Sequence, residues 1–303
     1  MPLTVATFNV KNLLDPASPA AREVLPAKLA NIAGLLRACD ADVVGLQEIG
    51  SEALIDQVLA LLDGRGGYTV HMGTTDARGI GCALLARVPV VTARVHTATA
   101  LPFPRFREDD PAPFGGRIPL RRGVVHARVA APGLGNVDVL VAHFKSSRPV
   151  PARDASGAAI AARTPQARAE GVLRSLVWRA SEALFVRGIV DEILAAEPHA
   201  RAAAVGDFND RPGSAALRAL CGDGDGALLD CATGIDPAQR FSHFHDGQPS
   251  QIDHIVATAG LHARLRAARF LNERLRQHEP LPEDGEETPT ADSDHAPLVA
   301  VFG

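Results

Sequence analysis

Short apolar runs recur along the chain, and each empties into a polar or ionisable residue. Leu3–Phe8 runs into Asn9, Asp42–Leu46 into Gln47-Glu48, Val137–Ala142 into His143, and Ala202–Val205 into Gly206-Asp207-Phe208-Asn209. Runs of this length bounded by turn residues read as buried strands. Packing alone gives a core strand no reason to finish on an amide or an acid. One such ending is unremarkable, but strand after strand doing so marks a ligand site, because in α/β sheets loops converge at strand ends. Within the central motif, Asp207 and Asn209 are two residues apart, so an extended chain sends both side chains to the same side.

Helical spacing fills the intervals. Leu29, Ile32, Leu35 and Leu36 mark a helix over residues 26–38, with Pro26 near its start. Leu54, Ile55, Val58, Leu61 and Leu62 mark another over 52–62, and a long one runs from about Gln166 to Ala196. Further strands are expected at Tyr68–Met72, Gly81–Leu85, Pro89–His96, Gly123–Val129, Arg264–Phe270 and Leu298–Phe302, with a short helix over 214–220. Phe241–His245 and Gln251–Val256 read as two strands around a turn at Asp246-Gly247. Strand, helix, strand, helix and then several strands imply a mixed α/β sheet. No linker separates the strand-end residues, so one domain over residues 1–303 is expected, and 46% hydrophobic content is enough for a large core.

A net charge of −4 excludes a globally basic nucleic-acid binder, though not a local patch. Arginines gather in two loops: Arg105, Arg107, Arg117, Arg121 and Arg122 within 101–122, and Arg148, Arg153 and Arg163 within 148–164. They are either a substrate rim or soluble loop surface. The four cysteines, Cys39, Cys82, Cys221 and Cys231, form no C-x-x-C pair, which argues against zinc and for reduced thiols. The opening residues read as a strand, with no signal peptide and no membrane span, so a cytoplasmic location is expected.

The polar set defines a chemistry. Asn and Glu offer oxygen ligands suited to a hard cation such as magnesium or manganese. Such an ion would hold phosphate oxygens and offset the charge on a leaving oxygen. Two acid–His steps, Asp253-His254 and Asp294-His295, lie near the C-terminus. An Asp beside a His orients the ring and raises its pKa, giving a cation for phosphate or an acid for a leaving group.

Six segments then carry a resemblance in fixed order: Thr7-Phe8-Asn9, Leu46-Gln47-Glu48, His143-Phe144-Lys145-Ser146, Gly206-Asp207-Phe208-Asn209, Ile252-Asp253-His254 and Ser293-Asp294-His295-Ala296-Pro297. Together they resemble the endonuclease/exonuclease/phosphatase superfamily, which includes DNase I-like and exonuclease III-like enzymes. The resemblance implies a four-layer α/β sandwich: two packed mixed sheets with helices outside. It implies a divalent metal, Mg2+ or Mn2+, with Glu48 as principal ligand and Asn9 and Asp294 close by. It makes Asp207 the residue that aligns the attacking water and Asn209 a contact to phosphate oxygen. His295 becomes the phosphate-binding or proton-transferring histidine, oriented by Asp253. His143 matches the second histidine of the DNase-like and phosphatase branches. The DNase-like branch gives that histidine an acid partner, for which Asp76 is a poor match.

Lys145 lies on the same side as His143 and is expected, with Arg121 and Arg122, to meet substrate. His254 points away from Asp253 by alternation and is taken as structural. His243 and His245 share a strand face, where they either pair on a metal or pack. The acidic loop from Glu279 to Asp292 reads as solvated surface that would repel a long polyanion. The expected function is metal-dependent phosphoester hydrolysis by in-line attack of water, on nucleic acid first. A small phosphorylated metabolite or lipid head group is the second expectation, and a non-catalytic binding module the third.

Overall fold

A computed structural model describes residues 1–62, 66–109, 111, 113–245, 247–273, 275 and 289–303. Most of the expected acidic loop, residues 279–288, lies outside the described residues, as does residue 246 in the expected turn.

Two six-stranded mixed sheets face one another. The first holds β1 (Leu3–Leu13), β2 (Val43–Ile49), β3 (Thr69–Met72), β4 (Gly81–Ala86), β15 (Leu265–Phe270) and β16 (Leu298–Phe302), in the order β15-β16-β1-β2-β4-β3. The second holds β5 (Val90–His96), β6 (Val124–Ala131), β7 (Gly135–His143), β10 (Arg201–Asp207), β11 (Leu228–Asp230) and β14 (Asp253–Thr258), in the order β11-β14-β10-β7-β6-β5. Each sheet has one parallel pair at its centre, β1 with β2 and β10 with β7, and antiparallel neighbours outside. Two short ribbons, β8 (Ala152–Arg153) with β9 (Ala159–Ile160) and β12 (His243–His245) with β13 (Gln248–Ser250), lie outside the sheets.

Period-two alternation builds the layers. Leu3 and Val5 of β1, Val139 and Val141 of β7, and Ala203 and Val205 of β10 share one core between the sheets. The opposite faces pack on helices. Ala6, Phe8 and Val44 meet Ile32 and Leu36 of α1 (Pro19–Cys39) and Ile55 and Leu59 of α2 (Glu52–Ala60). Leu140, Ala204 and Val256 meet Val186 and Val190 of α3 (Pro165–Ala196) and Leu217 and Leu220 of α4 (Ala215–Cys221). The last helix, α5 (Ala259–His262), is one turn long. The order of layers is therefore helix, sheet, sheet, helix.

Two elements depart from the sequence reading. Helix α1 begins at Pro19, so Pro26 lies inside it rather than near its start. Ser18 caps the helix by accepting from the Ala21 amide at 3.1 Å, and Pro19 presets the first turn. His243–His245 pairs with Gln248–Ser250 in a short antiparallel ribbon and not with the strand from residue 253.

Gly45 of β2 sets the spacing between the sheets. A β-carbon there would lie 2.8 Å from Val205 Cγ2 and 3.0 Å from Val141 Cγ1. These branched side chains cannot swing aside without disturbing the shared core. Gly45→Ala is therefore expected to destabilise the fold by about 1–3 kcal/mol, read as a lower midpoint in denaturant unfolding.

Candidate active site

Alternation carries the inner face of each sheet to one edge. In β1 the series Leu3, Val5, Thr7 ends on Asn9; in β7 the series Val137, Val139, Val141 ends on His143; in β10, Ala203 and Val205 end on Asp207. β14 runs antiparallel to β10 and begins at the same edge, where Asp253 is the register partner of Asp207. Gly206 permits close approach there: it has φ 149°, and a β-carbon on it would lie 1.8 Å from the Ala142 carbonyl oxygen.

Glu48 reaches the group by a different route. In a regular strand it would face the helices, one residue after inward Gln47. The register instead shifts between Gln47 and Ile49, and Glu48 adopts φ 66°. This irregularity turns the carboxylate toward Asn9. Glu48 Oε1 accepts from Asn9 Nδ2 at 3.3 Å, and Oε2 accepts from the Asn12 amide at 2.8 Å. The facing part of β1 is irregular too, with Lys11 and Asn12 both at positive φ. Backbone in this region persists only where surrounding structure holds it.

Asp207 lies at the centre. Its Oδ2 accepts from Asn9 Nδ2 at 2.9 Å and Asn209 Nδ2 at 3.2 Å, and it faces His143 Nε2 at 3.4 Å and His295 Nε2 at 3.9 Å. Its Oδ1 accepts from the Asn209 amide at 2.9 Å. Burial opposes the charge, but His295 and the donors of His143 and Asn9 outweigh it and hold the carboxyl well below the usual carboxylate range.

The two histidines are in opposite states. Burial works against the charge on His295, but Asp253 and Asp207 overcome it and raise the imidazole to about 10. Asp253 Oδ2 lies 2.7 Å from His295 Nδ1, so Nε2 faces the centre. The other Asp253 oxygen is buried without a partner. His143 is driven the other way, first by burial and then by Arg122. Arg122 Nη1 lies 2.7 Å from His143 Nδ1, and a guanidinium only donates, so that ring nitrogen accepts and the ring is neutral.

Asn9, Glu48, His143, Asp207, Asn209, Asp253, Asp294 and His295 thus gather at one edge of both sheets. Asp294 sits at the rim, 3.0 Å from Lys11 Nζ and 4.0 Å from His295 Nε2. Asn209 is held by its own neighbours: Nδ2 also donates to the Phe144 carbonyl at 3.0 Å, and the backbone has φ 52°.

Lys145 departs from expectation. Its Nζ donates to the Ser146 carbonyl and hydroxyl and to the Arg148 carbonyl at 2.8–3.0 Å. All three ammonium donors are engaged, so Lys145 fastens the 146–148 segment and does not present a free ammonium to phosphate. Asp76 is not the partner of His143; it accepts from the Arg78 and Ile80 amides and faces Arg121 at 3.7 Å. The nearest acid to His143 is Asp207. His254 is structural, stacked on Phe208 and bonded to Gln251 and the Asp210 carbonyl. His243 is a contact that sequence patterning missed. Its ring packs 5.0 Å from that of His295 with Nδ1 buried and unpartnered, and burial, then His295, lowers it to about 4. Only the hairpin, invisible to strand periodicity, brings it there.

The donor set fits a divalent cation. Glu48, Asp207, Asp253 and Asp294 crowd one edge, more carboxylates than His295 and Lys11 neutralise. Asp207, Asp253 and His295 offer ligand atoms within 4.8 Å of one another. Two members of that trio are already closed on each other as an ion pair. Glu48 with Asn9 and Asp294 forms the oxygen-only set, which suits a hard ion better.

The chain belongs to the endonuclease/exonuclease/phosphatase family, whose model matches residues 6–295. This is a family of phosphoester hydrolases, typically dependent on a divalent metal. Among solved structures, an endonuclease/exonuclease/phosphatase family protein from Bacteroides thetaiotaomicron is similar with TM-score 0.64 and 20% identity, over 100% of this chain and 96% of that one. Truncated TDP2 from Caenorhabditis elegans is similar with TM-score 0.60 and 18% identity, over 99% and 97%. The 3′ phosphatase NExo from Neisseria, bound to product DNA hairpin, is similar with TM-score 0.59 and 19% identity, over 99% of both chains. At these identities the likeness is one of fold. No curated protein sequence matches the chain. Among the described residues, no helix is long and apolar enough to cross a membrane.

The His295 pair makes stability depend on pH. The unfolded imidazole titrates near 6.5 and the folded one at about 10. Because the folded value is raised, the ionised pair contributes fully below pH 6.5, and its contribution is lost as pH rises through about 10. The melting temperature of metal-free protein should fall across that window, and Asp253→Asn should flatten the fall. Histidine NMR at pH 8 should show His295 protonated and His143 neutral.

Proposed function

We propose that the chain is a divalent-metal-dependent phosphodiesterase of nuclease type, working as a single catalytic domain through in-line attack of water on phosphorus. The observation that carries this reading is the joint placement of ionised Asp207 beside cationic His295 and neutral His143 at the edge where Glu48 and Asn9 meet. Glu48, Asn9 and Asp294 would hold Mg2+ or Mn2+, which supplies charge neutralisation at the phosphate.

Asp207 accepts a hydrogen bond from the attacking water and fixes its direction. A carboxylate held this far down is a weak base, so it chiefly orients the water, and the proton that the water loses as the O–P bond forms leaves on the phosphate product. His295, kept cationic by Asp253, faces the phosphate with Nε2 and can give that proton to the leaving oxygen as the ester bond breaks. His143 donates to Asp207 from Nε2 while Arg122 donates to Nδ1, which fixes the ring in its neutral form. Arg122 places a buried cation beside the phosphate position, with no carboxylate within 4 Å among the described residues. Asn209 holds Asp207 and the Phe144 carbonyl in register.

The small-molecule or lipid head-group reading shares this centre and differs only in the loops, so the choice of ester tests it. With Mg2+ or Mn2+, bis(p-nitrophenyl) phosphate should be hydrolysed and chelation should abolish the activity. Asp207→Ala should lower turnover roughly a thousandfold and His295→Asn about a hundredfold or more, with folding retained by circular dichroism. Cleavage of p-nitrophenyl phosphate alone would replace the diesterase assignment with a phosphatase, and no metal-dependent cleavage of either ester would overturn both.

A further inference from the structure

Next to the centre, and outside the set just described, Arg121 is built into a clamp. Its guanidinium lies over the Trp178 ring, 5.4 Å from the centroid. The indole is fixed in turn, its Nε1 donating to the Pro119 carbonyl at 3.2 Å, two residues before Arg121. A planar guanidinium over an indole face is a favourable cation–π pair, and it removes much of the freedom of a long side chain. The side chain remains 26% exposed.

The clamp is under-neutralised. The nearest acid, Asp76, is 3.7 Å away and already shared: one oxygen accepts two backbone amides and the other also faces Arg78 at 3.5 Å. Arg122, the next residue, is buried against His143 and the Phe144 carbonyl, with no carboxylate within 4 Å among the described residues. Of the acids among the described residues whose charges reach this pair, Asp76 is shared with Arg78 and Glu182 is raised by burial to about 7, so the two adjacent arginines stay short of negative charge. The clamp is also fixed relative to the catalytic edge. Arg122 lies on the His143 ring. Arg179, next to Trp178 on α3, bonds Asp210 at 2.9 Å, one residue beyond Asn209. A fixed, partly exposed planar guanidinium short of anionic partners is a receptor for an anion that presents two oxygens side by side, as a phosphate does.

We propose that Arg121, positioned by Trp178, binds a second, non-scissile phosphate of the substrate. The inference rests on the phosphoester-hydrolase reading of the neighbouring centre and narrows it to substrates carrying at least two phosphates, such as a nucleic acid strand or a small bisphosphate. Arg121 touches the substrate; Trp178 is a positioning residue.

Trp178 is the single tryptophan of the chain, so its emission reports on the clamp without catalysis. Titration of metal-free protein with thymidine 3′,5′-bisphosphate and with inorganic pyrophosphate should change that emission more than thymidine 5′-monophosphate does. Arg121→Gln should abolish the difference. In kinetics with Mg2+, the dinucleotide TpT carries only the scissile phosphate, whereas pTpT and TpTp carry one more on either side. One of the latter two should be preferred about tenfold in kcat/KM. Arg121→Gln and Trp178→Ala should collapse that ratio through KM, and Trp178→Phe should retain it by keeping an aromatic face. The preference among dinucleotides assigns a strand as the source, and an emission response to pyrophosphate without that preference assigns a small polyphosphate. Equal emission changes with one and two phosphates, together with no dinucleotide preference, would overturn the proposal. Failure to cleave TpT at all would overturn the diesterase reading, while the emission titration would still decide the clamp.

Discussion

The buried Asp207 carboxylate is the interaction on which the site depends. It lies at the seam where the inner faces of both sheets arrive, and the donors around it tie them together. Asn9 comes from the first sheet, His143 and Asn209 from the second, and His295 from the segment leading into β16. A carboxylate buried here without donors would protonate or open the sheets. With them it stays ionised, and every donor around it is fixed by the same charge. The cationic state of His295 follows, because Asp253, Asp207 and Asp294 flank it, whereas burial and the Arg122 guanidinium outweigh Asp207 and Glu48 at His143, which loses its proton. Two identical side chains a few ångströms apart thereby acquire opposite charges from their neighbours alone.

Getting these groups to one point required breaks in regular structure. Alternation delivers Asn9, His143, Asp207 and Asp253 without strain, since each continues an inward-facing series. Glu48 is off that series and Asn209 lies beyond the end of β10, and each takes its place at positive φ. The irregularity in β2 sits opposite the one in β1, where Lys11 and Asn12 are also at positive φ. Backbone strain in this chain is therefore concentrated beside the candidate ligands.

Strand and helix periods made the layers legible before any coordinates, because Val137, Val139 and Val141 or Leu29, Ile32 and Leu36 declare their faces by spacing alone. The convergence of the site residues was legible as well, since they terminate strands in sequence. Three features were not. The start of α1 depends on the Ser18 hydroxyl and Pro19, local signals outweighed by the apparent break at Pro26. The pairing of β12 with β13 depends on turn closure, which carries His243 onto His295. The fates of Lys145 and Arg122 depend on partners far away in sequence or on loop carbonyls, which spacing does not encode. Lys145 shares the face of His143 as alternation requires, yet its ammonium is consumed by the segment that follows it.

The segment after His143 is locked from several sides: Lys145 Nζ binds its carbonyls, Arg179 reaches the Lys145 carbonyl, Ser175 donates to the Ser146 carbonyl, and Glu182 accepts the Lys145 amide at 2.5 Å. Burial raises Glu182 to about 7 against the pull of Arg122, so this network lies directly behind the His143–Arg122 contact. A segment so fully bonded supports the catalytic edge and has few groups left with which to choose a substrate. The loop before β6 is different. It enters the site through adjacent Arg121 and Arg122, one partly exposed and the other buried, and is fastened to α3 by the Trp178 hydrogen bond and by Arg121 lying over the indole. The phosphate contact proposed for Arg121 therefore lies on the arginine loop ahead of His143, while the loop behind it keeps the histidine in place.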